Sequence, residues 1–204
     1  MIYVPRQQKL NKKKAAKFGD IHALTDKNDT NYGLEPDRIK IQLDLLKDFD
    51  PGKDKLLLDG QLVYNVVAAG IITKNRDNFK AIIWKRGKYE EVEINVKAEG
   101  ENDEDAQPSV WATNEAHVIN EDVRYMIRKD DRVNSYSPED IYSTAKDRIA
   151  EFNDKDRLIL TGSLLMNVIV AVNLLKIHGY KIKLQLMDHR VDEYVTRNLN
   201  LTDI

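Results

Sequence analysis

The sequence predicts an α/β fold built as two tandem Rossmann-like β-α-β-α-β repeats, with mostly parallel sheet and an edge hairpin. Three observations predict it. A 17-residue stretch recurs at a fixed offset of 102. In each copy a short apolar run passes through a glycine into a mostly apolar segment of helical length. A helix-start signal precedes both runs at the same offset.

The recurring stretch runs from Lys53 to Ala69 and again from Lys155 to Ala171, and nine of its 17 positions are identical. Upstream, Glu35-Pro36-Asp37-Arg38-Ile39 aligns with Ser137-Pro138-Glu139-Asp140-Ile141. Proline at a first helical position followed by acids starts a helix, and Ser137 is a good N-cap. Ile39, Leu43, Leu46 and Phe49 then recur at helical spacing, as do Ile141, Ala145, Ile149 and Phe152. A turn follows at Asp50-Pro51-Gly52 and at Asn153-Asp154.

Leu56–Leu58 and Leu158–Leu160 are continuous apolar runs, as suits strands covered on both faces. Gly60 and Gly162 end them, and an apolar helix follows each. The next strands are Phe79–Trp84 and Tyr180–Leu186. The second alternates cleanly, which predicts a place nearer a sheet edge. Gly87-Lys88-Tyr89 with alternating Val92, Ile94 and Val96 predicts a hairpin closing the first copy. Asp20–Thr25 and Val123–Ile127 read as strands before the first helices, and the segment around Val4 as one more. The repeat proper covers about residues 20–96 and 122–198.

The expected organisation is a first repeat over 1–97 with a basic N-terminal loop, an acidic linker over 98–108 and a second repeat over 109–204. The linker carries Glu99, Glu101, Asp103, Glu104 and Asp105. Lys9, Lys12, Lys13, Lys14 and Lys17 give the N-terminal loop the opposite bias.

The first repeat resembles short, uncharacterised proteins encoded by bacteriophages and mobile elements. The shared pattern has an N-terminal strand, Phe18-Gly19-Asp20-Ile21, Asp48-Phe49-Asp50-Pro51 and Lys53 through Gly60. It closes with Ile82-Ile83-Trp84 and Gly87-Lys88-Tyr89. In that pattern the strand ends in Thr-Gly or Ser-Gly; Thr161-Gly162 keeps this, whereas Asp59-Gly60 departs from it. The resemblance covers about residues 1–96. It implies a phage-type origin and an α/β fold, and no particular chemistry.

Composition narrows the function classes. The 204 residues are 42% hydrophobic and 32% charged with a formal net charge of −2, so net charge gives no reason to expect nucleic-acid binding. With no cysteine there is no disulfide, thiol catalysis or cysteine-bound metal. The apolar runs 62–73 and 164–175 are too short to span a membrane, and the N-terminus lacks signal-peptide order. Location in the cytoplasm is expected: the host's, or the virion for a phage-encoded protein.

Ligands of open parallel sheets bind beyond the carboxyl ends of the strands, beside helix N-termini. That points to Gly60 and Asn65 in the first copy and to Thr161, Gly162, Ser163 and Asn167 in the second. Thr161-Gly162-Ser163 offers two hydroxyls and backbone N–H groups at a helix start, a fit for phosphate. Each glycine equally serves a tight strand-to-helix turn, with Ser163 as cap, and each asparagine equally serves as a tie to a neighbouring loop. Asp59 would repel an anion, so an anion site is expected in the second copy. Asp54 and Asp156 read as structural turn acids, and Trp84 and Trp111 as packing residues. Lys12, Lys13, Lys14 and Lys17 are candidate contacts for nucleic-acid phosphates, without interleaved aromatics to stack bases. The same lysines equally form a solvated loop that pairs with the acidic segment.

His22, His117, His178 and His189 show no metal-ligand spacing, and no Gly-x-Ser-x-Gly elbow surrounds Ser163. No metal or cofactor is implied, and the residues lean against an enzyme without deciding the matter. Three functions stand. The first is a non-catalytic ligand-binding or regulatory protein taking a phosphorylated or nucleotide ligand at helix N-termini, an arrangement similar to cyclic-oligonucleotide sensor domains. The second is a viral structural or assembly protein that forms homo-oligomers or contacts another phage protein. The third is a nucleotide-acting hydrolase, which a histidine within reach of Ser163 would favour.

Overall fold

The computed structural model describes residues 1–6, 10–25, 35–97, 100, 107–115, 119 and 122–204. The first unit contains β1 (Ile2–Val4), α1 (Lys12–Ala15), β2 (Ile21–Ala23), α2 (Pro36–Gln42), β3 (Lys55–Leu57), α3 (Leu62–Thr73), β4 (Asn78–Lys85) and β5 (Lys88–Asn95). The second contains β6 (Val110–Asn114), β7 (Val123–Ile127), α4 (Pro138–Glu151), β8 (Arg157–Ile159), α5 (Leu164–Ile177), β9 (Lys181–Asp188) and β10 (Glu193–Asn200). The two are similar α/β units. One sheet has the order β2-β1-β3-β4-β5, the other β7-β6-β8-β9-β10. In each, four strands are parallel and the last is antiparallel.

Local chemistry accounts for the elements. Pro36 and Pro138 open α2 and α4, and the Ser137 side chain accepts from the Asp140 N–H as the cap of α4. The β4–β5 hairpin turns on Arg86 and Gly87, both at positive φ (47° and 87°), as a two-residue turn between twisted strands requires. Helices α3 and α5 are buried almost throughout, which explains why both are apolar all round rather than amphipathic.

Strand parity sorts the side chains into layers. Leu56, Leu58, Phe79, Ala81 and Ile83 of the first unit and Trp111, Leu158, Ile182, Leu184 and Leu186 of the second face one common core. The buried residues of α2, α3, α4 and α5 belong to that core as well. The four longer helices therefore lie between the two sheets. The outer face of the first sheet, with Ile2, Val4, Leu57 and Ile82, is covered by Ala15 of α1 together with Leu10 and Phe18. The winding is thus uneven: the longer helices of each unit share one face.

Helices α3 and α5 run side by side with their starts at the same end. Their far ends meet where the Tyr180 hydroxyl donates to the Thr73 carbonyl and Lys176 pairs with Asp77 at 2.9 Å. Asn173 of α5, fully buried, accepts from the Lys97 N–H at 2.8 Å, and the Tyr142 hydroxyl donates to the Lys97 carbonyl at 2.9 Å. The segment after β5 is thereby bonded to the second unit through both of its backbone polar groups.

Strand β9 lies between β8 and the edge strand β10, one place in from the sheet edge. Strands β6 and β10 were not anticipated: β6 does not fall at the 102-residue offset from a segment read as a strand, whereas β10 does, opposite the Val92–Val96 alternation. The acidic segment 101–106 and its expected pairing with the lysines lie outside the described residues, as does His117. Among the described residues no helix is long and apolar enough to cross a membrane.

Candidate ligand-binding site

In each sheet the chain leaves the first strand toward one side and the third strand toward the other. The switch point lies between β1 and β3, and between β6 and β8. A crevice opens at the carboxyl ends of such strand pairs. The turns after β3 and β8 stand there, and they are built alike. Gly60 has φ 77° and Gly162 has φ 78°, a left-handed conformation that costs an L-residue about 1–2 kcal/mol. A Cβ on Gly162 would also collide with the Asn114 amide. Gly162→Ala is expected to lower stability by about 2 kcal/mol in urea unfolding.

Asn65 and Asn167, both fully buried, hold these turns. The Asn65 Nδ2 donates to the Asp59 carbonyl at 2.9 Å and the Gln61 carbonyl at 2.8 Å, and its Oδ1 accepts from the Asp59 N–H at 3.2 Å. The Asn167 Nδ2 donates to the Thr161 and Ser163 carbonyls, both at 2.8 Å, and its Oδ1 accepts from the Thr113 hydroxyl at 2.7 Å. The Thr161 hydroxyl, also buried, donates to the Asn114 carbonyl at 2.8 Å and accepts from the Asn114 N–H at 3.0 Å. The Ser163 hydroxyl caps α5 by accepting from the Met166 N–H at 3.2 Å. In the second unit both hydroxyls are therefore already engaged with the chain.

The first unit departs at this point. Gln61, at the matching N-cap of α3, makes no side-chain bond to the helix. Its Oε1 instead accepts from the Arg6 guanidinium at 2.7 Å. Arg6 is only 4% exposed, and its guanidinium lies 5.1 Å from the centre of the Tyr64 ring. The Arg6 Nε has no hydrogen-bond partner among the described residues. A buried cation thus adjoins the positive end of a helix dipole, two features that both favour an anion.

The pairing register identifies the counterpart of Arg6. Tyr3 pairs with Leu56 as Trp111 pairs with Leu158, so three residues on Arg6 matches Asn114. The Asn114 Oδ1 is likewise buried and without a partner. Sequence reading missed both residues. The offset between β1 and β6 is 108 (110 − 2), against 102 (157 − 55) between β3 and β8. The connection holding α1 is six residues longer in the first unit and breaks the alignment there.

A cleft of about 140 Å³ lies between Leu58, Ile83 and Trp84 of the first unit and Ser163, Leu164 and Leu165 of the second. Ser135 and Tyr136 close it, and Lys85 Nζ stands 5.6 Å from the centre of the Tyr136 ring.

Residues 2–97 match the model of the phage Pam3 gp32-like protein family. The resemblance to phage-encoded proteins holds over that stretch. No curated protein matches the sequence. Solved structures share the fold across both units. The Cap4 SAVED/CARF-domain containing receptor of Acinetobacter baumannii, bound to the cyclic trinucleotide 2'3'3'-cAAA, has a TM-score of 0.57 at 13% identity. It covers 98% of this chain and 51% of the receptor chain. The same receptor with 3'3'3'-cAAA gives 0.54 at 13% identity, with the same 98% and 51% covered. The Cap4 receptor of Moraxella osloensis gives 0.55 at 11%, covering 97% of this chain and 49% of that one. This chain spans about half the length of these receptors.

The other sequence candidates fall elsewhere. Lys12 and Lys13 are exposed on α1; Lys14 Nζ donates to the Gly87 carbonyl at 2.8 Å and lies over the Trp84 ring; Lys17 lies over the Phe18 ring. The His22 ring packs edge-on against Tyr3, and no described histidine hydrogen-bonds to Ser163. Beside His189, the Asp188 carboxylate is taken by the Arg190 guanidinium at 2.7 and 2.9 Å, which holds that carboxyl down at about 2. Among the described residues no three His, Asp or Glu gather to hold a metal ion. A hollow of about 510 Å³ opens at the amino ends of the second sheet's strands, by His178, Lys181 and Lys183; burial there lowers the His178 pKa and favours the neutral ring. None of Gly60, Asn65, Thr161, Gly162, Ser163 and Asn167 lines it.

Proposed function

We propose that this protein is a non-catalytic binder of a phosphorylated ligand of nucleotide type, held at the end where α3 and α5 begin. The observation that carries this reading is the buried, cationic Arg6 beside the uncapped start of α3, a few residues from a strand-end switch point. The fold shared with receptors that bind cyclic trinucleotides supports the ligand class. In this reading Gly60, Gly162, Thr161 and Ser163 shape the two rims through backbone N–H groups. Asn65 and Asn167 hold those rims rigid from beneath, since their amides face the chain.

Native mass spectrometry and thermal unfolding against a panel of cyclic di- and trinucleotides, their linear forms and nucleoside monophosphates test it. At least one is expected to bind and raise the unfolding temperature. A ligand present at 100 times its dissociation constant stabilises by about 2.7 kcal/mol, a shift of several degrees for a chain of this size. If the panel leaves the transition unmoved at millimolar concentration, the nucleotide reading is wrong.

A further inference from the structure

We infer that the two rims are chemically unequal, so that the ligand's phosphate sits on the first unit and an uncharged hydrogen-bonding part sits on the second. This rests on the reading above and adds a polarity to it. Arg6 and Asn114 match by register, Arg6 two residues beyond the end of β1 and Asn114 at the end of β6. Each leaves a buried polar atom without a partner among the described residues: Arg6 Nε, a donor, and Asn114 Oδ1, an acceptor. A buried polar group lacking its partner is costly, and a ligand group that supplies the partner removes the cost.

The partners they require differ. A guanidinium takes an anion, and best a phosphate or carboxylate oxygen pair. An amide oxygen takes an O–H or N–H, such as a ribose hydroxyl or a base amine. The helix starts point the same way. The N-cap of α5 is closed by the Ser163 hydroxyl, whereas Gln61 leaves α3 without a side-chain cap because its Oε1 faces Arg6. N–H groups at a helix start are anion ligands, and in the first unit the N-cap side chain does not take them. The anion site therefore belongs to the first unit, opposite to the expectation drawn from Thr161-Gly162-Ser163.

The test uses the full chain, 15N-labelled, titrated with inorganic phosphate and then with adenosine monophosphate. Phosphate is expected to shift the backbone amides of Gly60 to Tyr64 and to leave those of Gly162 to Met166 in place. Arg6→Gln should weaken phosphate binding about tenfold or more, and Arg6→Lys should recover part of it. Asn114→Ala should weaken the monophosphate severalfold and leave phosphate unchanged. Unfolding curves of each variant separate loss of binding from loss of fold. Phosphate shifts at Gly162–Met166, at both turns or at neither overturn the inference, as does Arg6→Gln binding like wild type. If the nucleotides fail while phosphate still marks Gly60–Tyr64 through Arg6, the nucleotide reading falls and the anion site stands.

Discussion

Asp156→Ala is expected to lower stability by about 3 kcal/mol, and the unfolding temperature by roughly 10 °C. The carboxylate is 1% exposed and accepts three bonds, from Ser109 N–H at 2.7 Å, Trp111 Nε1 at 2.9 Å and Asn153 N–H at 3.0 Å. It ties the turn before β8 to the start of β6 and to the largest fully buried side chain of the core. Removal leaves an indole N–H and two backbone N–H groups buried without acceptors. Asp54 stands at the matching place in the first unit, where its carboxylate accepts from the Asp50 N–H and the Met1 nitrogen, both at 3.0 Å. Tyr3 replaces Trp111 there, so no indole depends on it. Asp54→Ala is expected to cost about 1 kcal/mol. Equal losses for the two variants in urea unfolding would contradict this account.

The second large effect is at Asn167. Replacement by alanine removes three buried hydrogen bonds and is expected to cost about 3 kcal/mol. Replacement by aspartate should cost more, although the side chain keeps its shape. A carboxylate oxygen would then face the Thr161 and Ser163 carbonyls, where the amide now donates at 2.8 Å. The ordering of wild type, Asn167→Ala and Asn167→Asp in chemical denaturation is the diagnostic. An aspartate variant as stable as wild type would mean that the amide does not hold the turn.

Much of the fold was legible because it is written in strongly patterned segments. The Leu56–Leu58 and Leu158–Leu160 runs, the glycine after each and the apolar helices α3 and α5 all follow from burial on every side. What escaped is instructive. Strand β1 was read only as a segment around Val4, and β6 not at all, since Val110–Asn114 is short and lies off the 102-residue offset. The end of β1 was therefore never laid against the end of β6. Arg6 stood in the sequence as an ordinary basic residue next to a lysine-rich loop. Only the pairing of Tyr3 with Leu56 brings it to the Gly60 turn. The surroundings of the Gly60 turn could not be judged from that turn alone, because Arg6, which bonds Gln61, lies more than fifty positions away. The hydroxyls of Thr161 and Ser163 looked like ligand groups in sequence; folding gives them partners in the chain. Unsatisfied groups attract ligands, and satisfaction is a property of three dimensions.

The placement of both units on a single chain, with one core between them, has an evolutionary consequence. In a symmetric homodimer every substitution appears twice, so an arginine acquired on one rim is imposed on the other. Here position 6 and position 114 mutate independently while the partner surface stays covalently attached at any protein concentration. In the proposed binding mode one rim is free to become cationic and the other to stay neutral. A chain of this design can therefore be selected to read which way round a ligand lies, a distinction closed to two identical subunits.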